Sequence, residues 1–165
     1  MLSRSNWLIL GLAVLAAGAG GYIQHRSERP AADSAIVGQQ VPDLVLPDLD
    51  GKPHRLSDYR GRRVLLHLWA SWCKPCLEEM PALAGTQAKF GDHAPIVIGI
   101  AMDDPVRARS FLAAHPVNYP ILLGQLSPPS TSSALGNAAE TLPFSVLIDA
   151  TGRVLAVPSG SLQPA

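Results

Sequence analysis

Residues 63–76 read RVLLHLWASWCKPC, a short apolar run followed by two cysteines three positions apart. The run from Arg63 to Ala70 suits a buried strand, because strands covered on both faces are almost continuously apolar. The composition from Cys73 to about Phe90 then predicts a helix, with a proline inside it at Pro81. This stretch therefore predicts a strand followed directly by a helix, with both cysteines on the first helical turn.

The placement of the cysteines favours redox chemistry. Two sulfurs at positions i and i+3 on a first helical turn can close a small disulfide ring. The unpaired N–H groups and partial positive charge of the helix N-terminus stabilise a thiolate on Cys73, and Lys74 adds a cation. We therefore predict that Cys73 is the nucleophile, with a pKa below the ordinary thiol value, and that the more buried Cys76 resolves the mixed disulfide.

A zinc or copper site at the cysteine pair is an alternative to redox chemistry. It needs further ligands, and the sequence has no second Cys-x-x-Cys and no His-x-x-x-His spacing. We therefore predict no metal and no cofactor, and keep a copper or zinc chaperone that uses Cys73 and Cys76 as an alternative function.

The rest of the chain predicts an α/β fold with a central mixed sheet flanked by helices. A β-hairpin is expected first, around the turn signal Asp50-Gly51. A second helix is expected from Asp103-Asp104-Pro105 to a point before Pro116. Further strands are predicted at 96–101, 121–123, 144–148 and 153–157, with a proline- and serine-rich loop at 127–133. The order is βα, βα and ββ after the hairpin.

The N-terminal segment predicts export. Residues 7–23 form an apolar run behind a basic start, about long enough as a helix to approach a bilayer core of about 30 Å. We predict a signal anchor or signal peptide at 1–24, a linker at 25–37 and one domain at 38–165. An uncleaved anchor is favoured over cleavage after Ala19, which would leave the domain free.

The charge composition argues against a nucleic-acid partner. Thirteen Lys and Arg residues balance thirteen Asp and Glu residues, and only 16% of the chain is charged. Proteins that bind nucleic acid use a basic surface, which this balance does not predict. No nucleic-acid partner is therefore expected.

The segment HLWASWCKPC, followed by Glu79 and Pro81, resembles the thioredoxin superfamily, and within it the membrane-tethered TlpA/ResA/DsbE-like thiol-disulfide oxidoreductases. The likeness runs from about residue 38 to 161 and includes the stretches GIAMDD and LPFSVLID. It implies a thioredoxin-like fold with an extra N-terminal β-hairpin and, at the N-terminus, a transmembrane or signal segment.

The resemblance also implies roles for individual residues. Cys73 and Cys76 match the redox-active disulfide, and Glu79 matches a glutamate that tunes the cysteines and relays a proton. Pro143 matches a cis-proline that lies beside the disulfide and, with Leu142 and Trp72, contacts the substrate.

His67 departs from the family pattern. It stands six positions before Cys73, where thioredoxins carry a buried aspartate. A proton partner and a hydrogen-bonded core histidine both remain open, so we leave His67 outside the predicted catalytic set.

The function implied is a protein disulfide reductase on the periplasmic side of the inner membrane. Its partners would be the disulfides of client proteins, of the cytochrome c maturation or copper-centre assembly type, and a membrane thiol carrier as electron donor. A peroxiredoxin-like peroxidase is a further alternative, but such enzymes want threonine or serine three positions before the reactive cysteine, where this chain has Ala70.

Overall fold

A five-stranded mixed sheet forms the centre of the protein, whose computed structural model describes residues 33–158. The strands of this sheet are β3 (Val64–Trp69), β4 (Ile96–Ala101), β5 (Ile121–Leu123), β6 (Phe144–Ile148) and β7 (Val154–Ala156). Their order is β5-β4-β3-β6-β7. Strands β3, β4 and β5 run parallel to one another. Strand β6 pairs antiparallel with β3, and β7 pairs antiparallel with β6. This confirms the predicted mixed sheet.

Strand β3 is central because nearly all of it is apolar and it is covered on both faces. Val64, Leu66 and Leu68 point into one hydrophobic cluster, whereas Trp69 joins the cluster that contains the cysteines. Since side chains alternate along a strand, His67 lies on the same face as Trp69. Burying each leucine contributes about 1.5–3 kcal/mol to folding.

Helix α1 (Lys74–Phe90) packs against the cysteine-containing cluster through a face that includes Cys76, Met80 and Leu83. It contains the predicted Pro81 and is capped at its C-terminus by Gly91. Pro81 has no N–H to donate to the carbonyl one turn earlier, which interrupts the helical hydrogen-bond pattern without ending the helix.

Helix α2 (Pro105–Ala114) begins where the sequence predicts. The Asp104 carboxylate caps it by accepting the backbone N–H groups of Val106 and Arg107 at 2.9 and 3.2 Å. It ends before Pro116, as expected from the restriction that a proline places on the residues before it.

The predicted N-terminal hairpin is also present, as β1 (Val45–Pro47) and β2 (Pro53–Arg55) in a separate two-stranded sheet. The Asp48 side chain accepts the backbone N–H groups of Asp50 and Lys52, and Gly51 adopts a φ of 83° in the turn. Glycine takes this left-handed conformation without steric cost.

Part of the predicted linker belongs to the folded structure. Residues Asp33–Ile36 form a 3-10 helix, and Ile36 packs against the core. The lack of a side chain at Gly136 makes room, because a Cβ there would stand 2.7 Å from Ile36. The mostly polar composition of 25–37 predicts a tether, but the apolar Ile36 attaches the end of this segment to the core.

The loop predicted at 127–133 differs as well. Its second half enters a short helix, α3 (Thr131–Ala134), whose N-terminus is capped by the Ser130 hydroxyl. The serines that suggest a loop supply this cap and the buried polar contacts around it.

The predicted segment at 1–24, and the linker as far as residue 32, lie outside the described residues. Between residues 33 and 158, no helix has both the length and the apolar character needed to cross a membrane.

Candidate active site

Cys73 and Cys76 form a disulfide at the start of α1, with their Cα atoms 5.3 Å apart. Cys73 is the N-cap residue, and its sulfur accepts the backbone N–H of Cys76 at 3.3 Å. The Cys73 N–H in turn donates to the carbonyl oxygen of Ala70 at the end of β3, over 3.0 Å. The first sulfur therefore occupies the positive end of the helix, where a thiolate is stabilised.

The two sulfurs differ only slightly in exposure. Cys73 is 3% exposed and Cys76 is fully buried, which is the predicted order but leaves the nucleophile largely covered. Trp72, by contrast, is 66% exposed, and Lys74 is also at the surface. These two side chains are the sequence neighbours of Cys73.

The Leu142–Pro143 peptide bond is cis, as the family resemblance implies. It stands immediately before β6, whose first residue, Phe144, pairs with Leu68 near the end of β3. Because β6 runs antiparallel to β3, this register brings Pro143 to the sheet edge from which the cysteine motif emerges. The contacts of Trp72, Leu142 and Pro143 with substrate remain predictions.

Glu79 lies on the buried face of α1, with only 3% of its surface exposed. One carboxylate oxygen is 3.8 Å from Nδ1 of His67 on β3. The structure thus places a carboxylic acid one helical turn beyond Cys76 in a site with almost no solvent. A carboxyl group in such a place is suited to carrying a proton to or from a covered thiol.

His67 is fully buried, and its Nδ1 lies 3.1 Å from the Ser145 hydroxyl on β6. Its Nε2 has no hydrogen-bond partner among the described residues. Burial lowers the pKa of His67 to about 4, because an imidazolium ion would lose its hydration there. The side chain is therefore neutral near pH 7.

Asp103, which the sequence predicts only as part of a helix start, also lies at the site. Its carboxylate is almost buried and accepts the Ser71 N–H at 2.7 Å and the Asp104 N–H at 2.8 Å. Burial raises the pKa of Asp103, but these hydrogen bonds outweigh it and hold the pKa below its usual value. Asp103 thereby fixes the turn that leads into Cys73.

A signal for Asp103 exists in the sequence. Strands β3 and β4 are parallel, so the residues that follow them meet at one edge of the sheet. An acidic residue two positions after β4 therefore faces the turn that follows β3, where backbone N–H groups need acceptors.

Between residues 33 and 158, no group of three or more His, Cys, Asp or Glu side chains is arranged to hold a metal ion. A metal bound by the two cysteines would need its other ligands from elsewhere.

Comparison with known proteins gives one family match and a consistent set of relatives. The model of the AhpC/TSA family matches residues 37–157. The thiol-disulfide oxidoreductase ResA of Geobacillus thermodenitrificans is 31% identical over 163 residues, which cover 98% of this chain and 88% of the relative. The thioredoxin-like protein YneN of Bacillus subtilis is 32% identical, over 72% of this chain and 71% of its own.

Solved structures give the same fold. A Chlorobium tepidum protein described as a thiol:disulfide interchange protein DsbE is 33% identical and aligns with a TM-score of 0.66 over 75% of this chain and 85% of its own. A thioredoxin-related protein from Neisseria meningitidis is 30% identical, with a TM-score of 0.64 over 72% of this chain and 89% of its own.

Proposed function

The chain belongs to the AhpC/TSA family of thioredoxin-like proteins, as a thiol-disulfide oxidoreductase of the TlpA/ResA/DsbE-like group, and we propose that it reduces disulfides of client proteins outside the inner membrane. The observation that carries this proposal is the Cys73–Cys76 disulfide at the N-terminus of α1. The Cys73 sulfur accepts a helix N–H there, which supports its role as the nucleophile, and the fully buried Cys76 would then resolve the mixed disulfide.

The reaction starts from the reduced pair. The Cys73 thiolate attacks one sulfur of the client disulfide, and the other client sulfur leaves and takes up a proton. Cys76 then loses its proton and attacks the Cys73 sulfur, which releases the second client sulfur as a thiol. The protein ends as the Cys73–Cys76 disulfide, and two electrons from a membrane thiol carrier, with one proton, restore the Cys73 thiolate and the Cys76 thiol.

The redox state of the cysteine pair in intact cells tests the direction of this reaction. Acid quenching followed by alkylation should show the pair mostly reduced, because the carrier keeps a reductase supplied with electrons. A mostly oxidised pair would instead mean that the protein delivers disulfides to its clients. In the cytochrome c or copper-centre setting that we propose, loss of the gene should lower the amount of the mature metalloprotein.

A peroxidase reaction has less support at this site. Position 70, three residues before Cys73, is a fully buried alanine, so no hydroxyl stands there to bind a peroxide oxygen. The reduced protein should therefore consume hydrogen peroxide far more slowly than it reduces a peptide disulfide.

We place the domain on the periplasmic side of the inner membrane, held by residues 1–24, from the sequence alone. The uncharged stretch from Ser5 to Gln24 supports an anchor. Alkaline extraction of membranes should leave the protein in the pellet. Full release of a chain that begins at Gly20 would instead establish cleavage after Ala19.

Glu79→Gln should slow disulfide reduction by about tenfold or more near pH 7, because glutamine cannot carry a proton to or from Cys76. The substitution keeps the shape of the side chain, so the melting temperature should change little. The measurement is the single-turnover rate of the reduced protein with a peptide disulfide from pH 5 to 9.

Glu78→Gln is the matched control, since Glu78 is the neighbouring carboxylate and is exposed. It should keep the wild-type rate and pH profile. If the Glu79 variant also kept the wild-type profile, the proton would have to reach Cys76 by another route.

A further inference from the structure

A pocket of about 160 Å³ lies next to the redox motif. Two of its lining residues, Trp72 and Leu142, immediately precede Cys73 and the cis-proline Pro143. The rest of its lining comes from Met102 after β4 and from the segment between β5 and β6, namely Leu126, Ser130, Ser132 and Glu140. A chain segment that reaches Cys73 would therefore pass the mouth of this pocket.

The pocket has an apolar wall that the protein itself leaves uncovered. Trp72 is 66% exposed and Leu126 is 54% exposed, whereas most large apolar side chains of the described residues are covered. Exposed apolar side chains that line one concave surface are typical of a binding site.

Glu140 is the one charged side chain in the pocket lining. The Ser130 hydroxyl donates a hydrogen bond to its carboxylate, and the same hydroxyl accepts the Ser133 N–H at 3.0 Å. Among residues 33–158, no lysine, arginine or histidine forms an ion pair with Glu140. The pocket therefore presents a carboxylate whose charge is not balanced by a described cation.

The segment that carries Glu140 is held firmly. Buried Asn137 donates from its side-chain amide to the Ser132 hydroxyl at 2.7 Å and to the Thr141 carbonyl at 2.8 Å. Glu140 itself adopts a φ of 50°, in the left-handed region that non-glycine residues rarely occupy. These contacts hold the backbone of the segment, and the Ser130 hydroxyl holds the carboxylate.

We infer that this pocket receives a lysine or arginine side chain next to the client's reactive cysteine, so that clients with a basic residue there are preferred. The alkyl part of such a side chain would pack against Trp72 and Leu126, while its cationic end pairs with Glu140. This inference rests on the proposed function, because it specifies which client disulfides the same site reduces.

The volume of the pocket is suited to one side chain and not to a larger ligand. Sites for small molecules and cofactors usually enclose about 300–1,000 Å³. A volume of about 160 Å³ is well below that range. The main chain of the client would remain outside, where it can bring its sulfur to Cys73.

The test uses the reduced full chain and three peptides, each with one internal disulfide and with arginine, glutamine or glutamate before the first cysteine. In each reaction, the peptide disulfide becomes two thiols as Cys73 and Cys76 become a disulfide. The second-order rate constant of the wild type should be about fivefold higher for the arginine peptide than for the glutamine peptide, and lowest for the glutamate peptide. This preference should shrink as the salt concentration rises.

Glu140→Gln should abolish the preference for arginine, and Glu140→Lys should favour the glutamate peptide. Both variants should reduce a small uncharged disulfide at the wild-type rate, because Glu140 takes no part in the chemistry. Glu78→Gln, which removes an exposed carboxylate from α1, should keep the preference.

The outcomes separate the two proposals. Equal rates with all three peptides in the wild type would overturn the inference about the pocket and leave the reductase function intact. A preference that survives in Glu140→Gln would also overturn it. A reduced wild type that transfers no electrons to any peptide or to the small disulfide would overturn the proposed function itself.

Discussion

Cys76→Ser should accumulate mixed disulfides between Cys73 and client proteins, while Cys73→Ser should trap almost nothing. The first variant keeps the nucleophile at the helix N-terminus and lacks the thiol that would release the client. The second keeps only a thiol that is fully buried one turn into α1. Steady-state disulfide reduction should fall by at least about 10³-fold in both variants, because each removes a sulfur on which the cycle depends.

Acid quenching, alkylation and non-reducing electrophoresis measure the trapped species, and mass spectrometry of the bands identifies the clients. The double variant with both cysteines replaced is the control, and it should show no bands that a reducing agent removes. Equal trapping by the two single variants would show that the thiols are interchangeable and would contradict the ordered mechanism.

The protein should lose stability in mild acid because His67 is buried. Folding places His67 where burial lowers its pKa to about 4, against about 6.5 for the unfolded chain. Between these values the unfolded state binds a proton that the folded state does not. The contribution of His67 to the free energy of unfolding should therefore be constant above about pH 6.5 and fall by about 3 kcal/mol as the pH drops to 4.

Two polar groups face His67 from the elements packed against it, Glu79 on α1 and Ser145 on β6. Position 99, opposite it on β4, is a glycine and contributes no charge. The depressed pKa values of Asp103, Asp43, Asp48 and Asp149 remove stability only at lower pH, around and below the ordinary aspartate value of 3.8.

His67→Gln is the variant that tests this effect. In this variant the free energy of unfolding should change much less between pH 6.5 and 4, because glutamine does not titrate. This holds whatever the stability of the variant at pH 7. His93→Gln should keep the wild-type slope, since His93 is exposed in the folded protein. Urea unfolding at half-unit pH steps gives the curves, and equal slopes for His67→Gln and wild type would assign the acid sensitivity to other groups.

The sequence predicts most of the sheet because local patterns decide it. Strands β4, β5 and β6 have the predicted bounds, since each is a short apolar run that begins directly after a proline. The positions of Cys73 and Cys76 also follow from local rules, because a helix that starts after a buried strand places its first turn at the end of the sheet.

The remainder depends on contacts between distant parts of the chain. The Asp103 carboxylate accepts the backbone N–H of Ser71, 32 positions away. No local pattern around either residue predicts this hydrogen bond. Ile36 joins the core through space that Gly136 leaves open, 100 residues further on. The Glu140 pocket combines three separate segments, so composition predicts only a loop where the structure forms a pocket.

The antiparallel pairing of β6 with β3 also determines when the site exists during synthesis. Phe144 pairs with Leu68, so the sheet edge beside the cysteines is completed by residues made more than 70 positions later. At about 5–20 residues per second, a ribosome needs roughly 4–15 s to add that length of chain. During that interval the nascent chain carries two thiols without the strand that lies beside them, and selective chemistry begins only once β6 has been made.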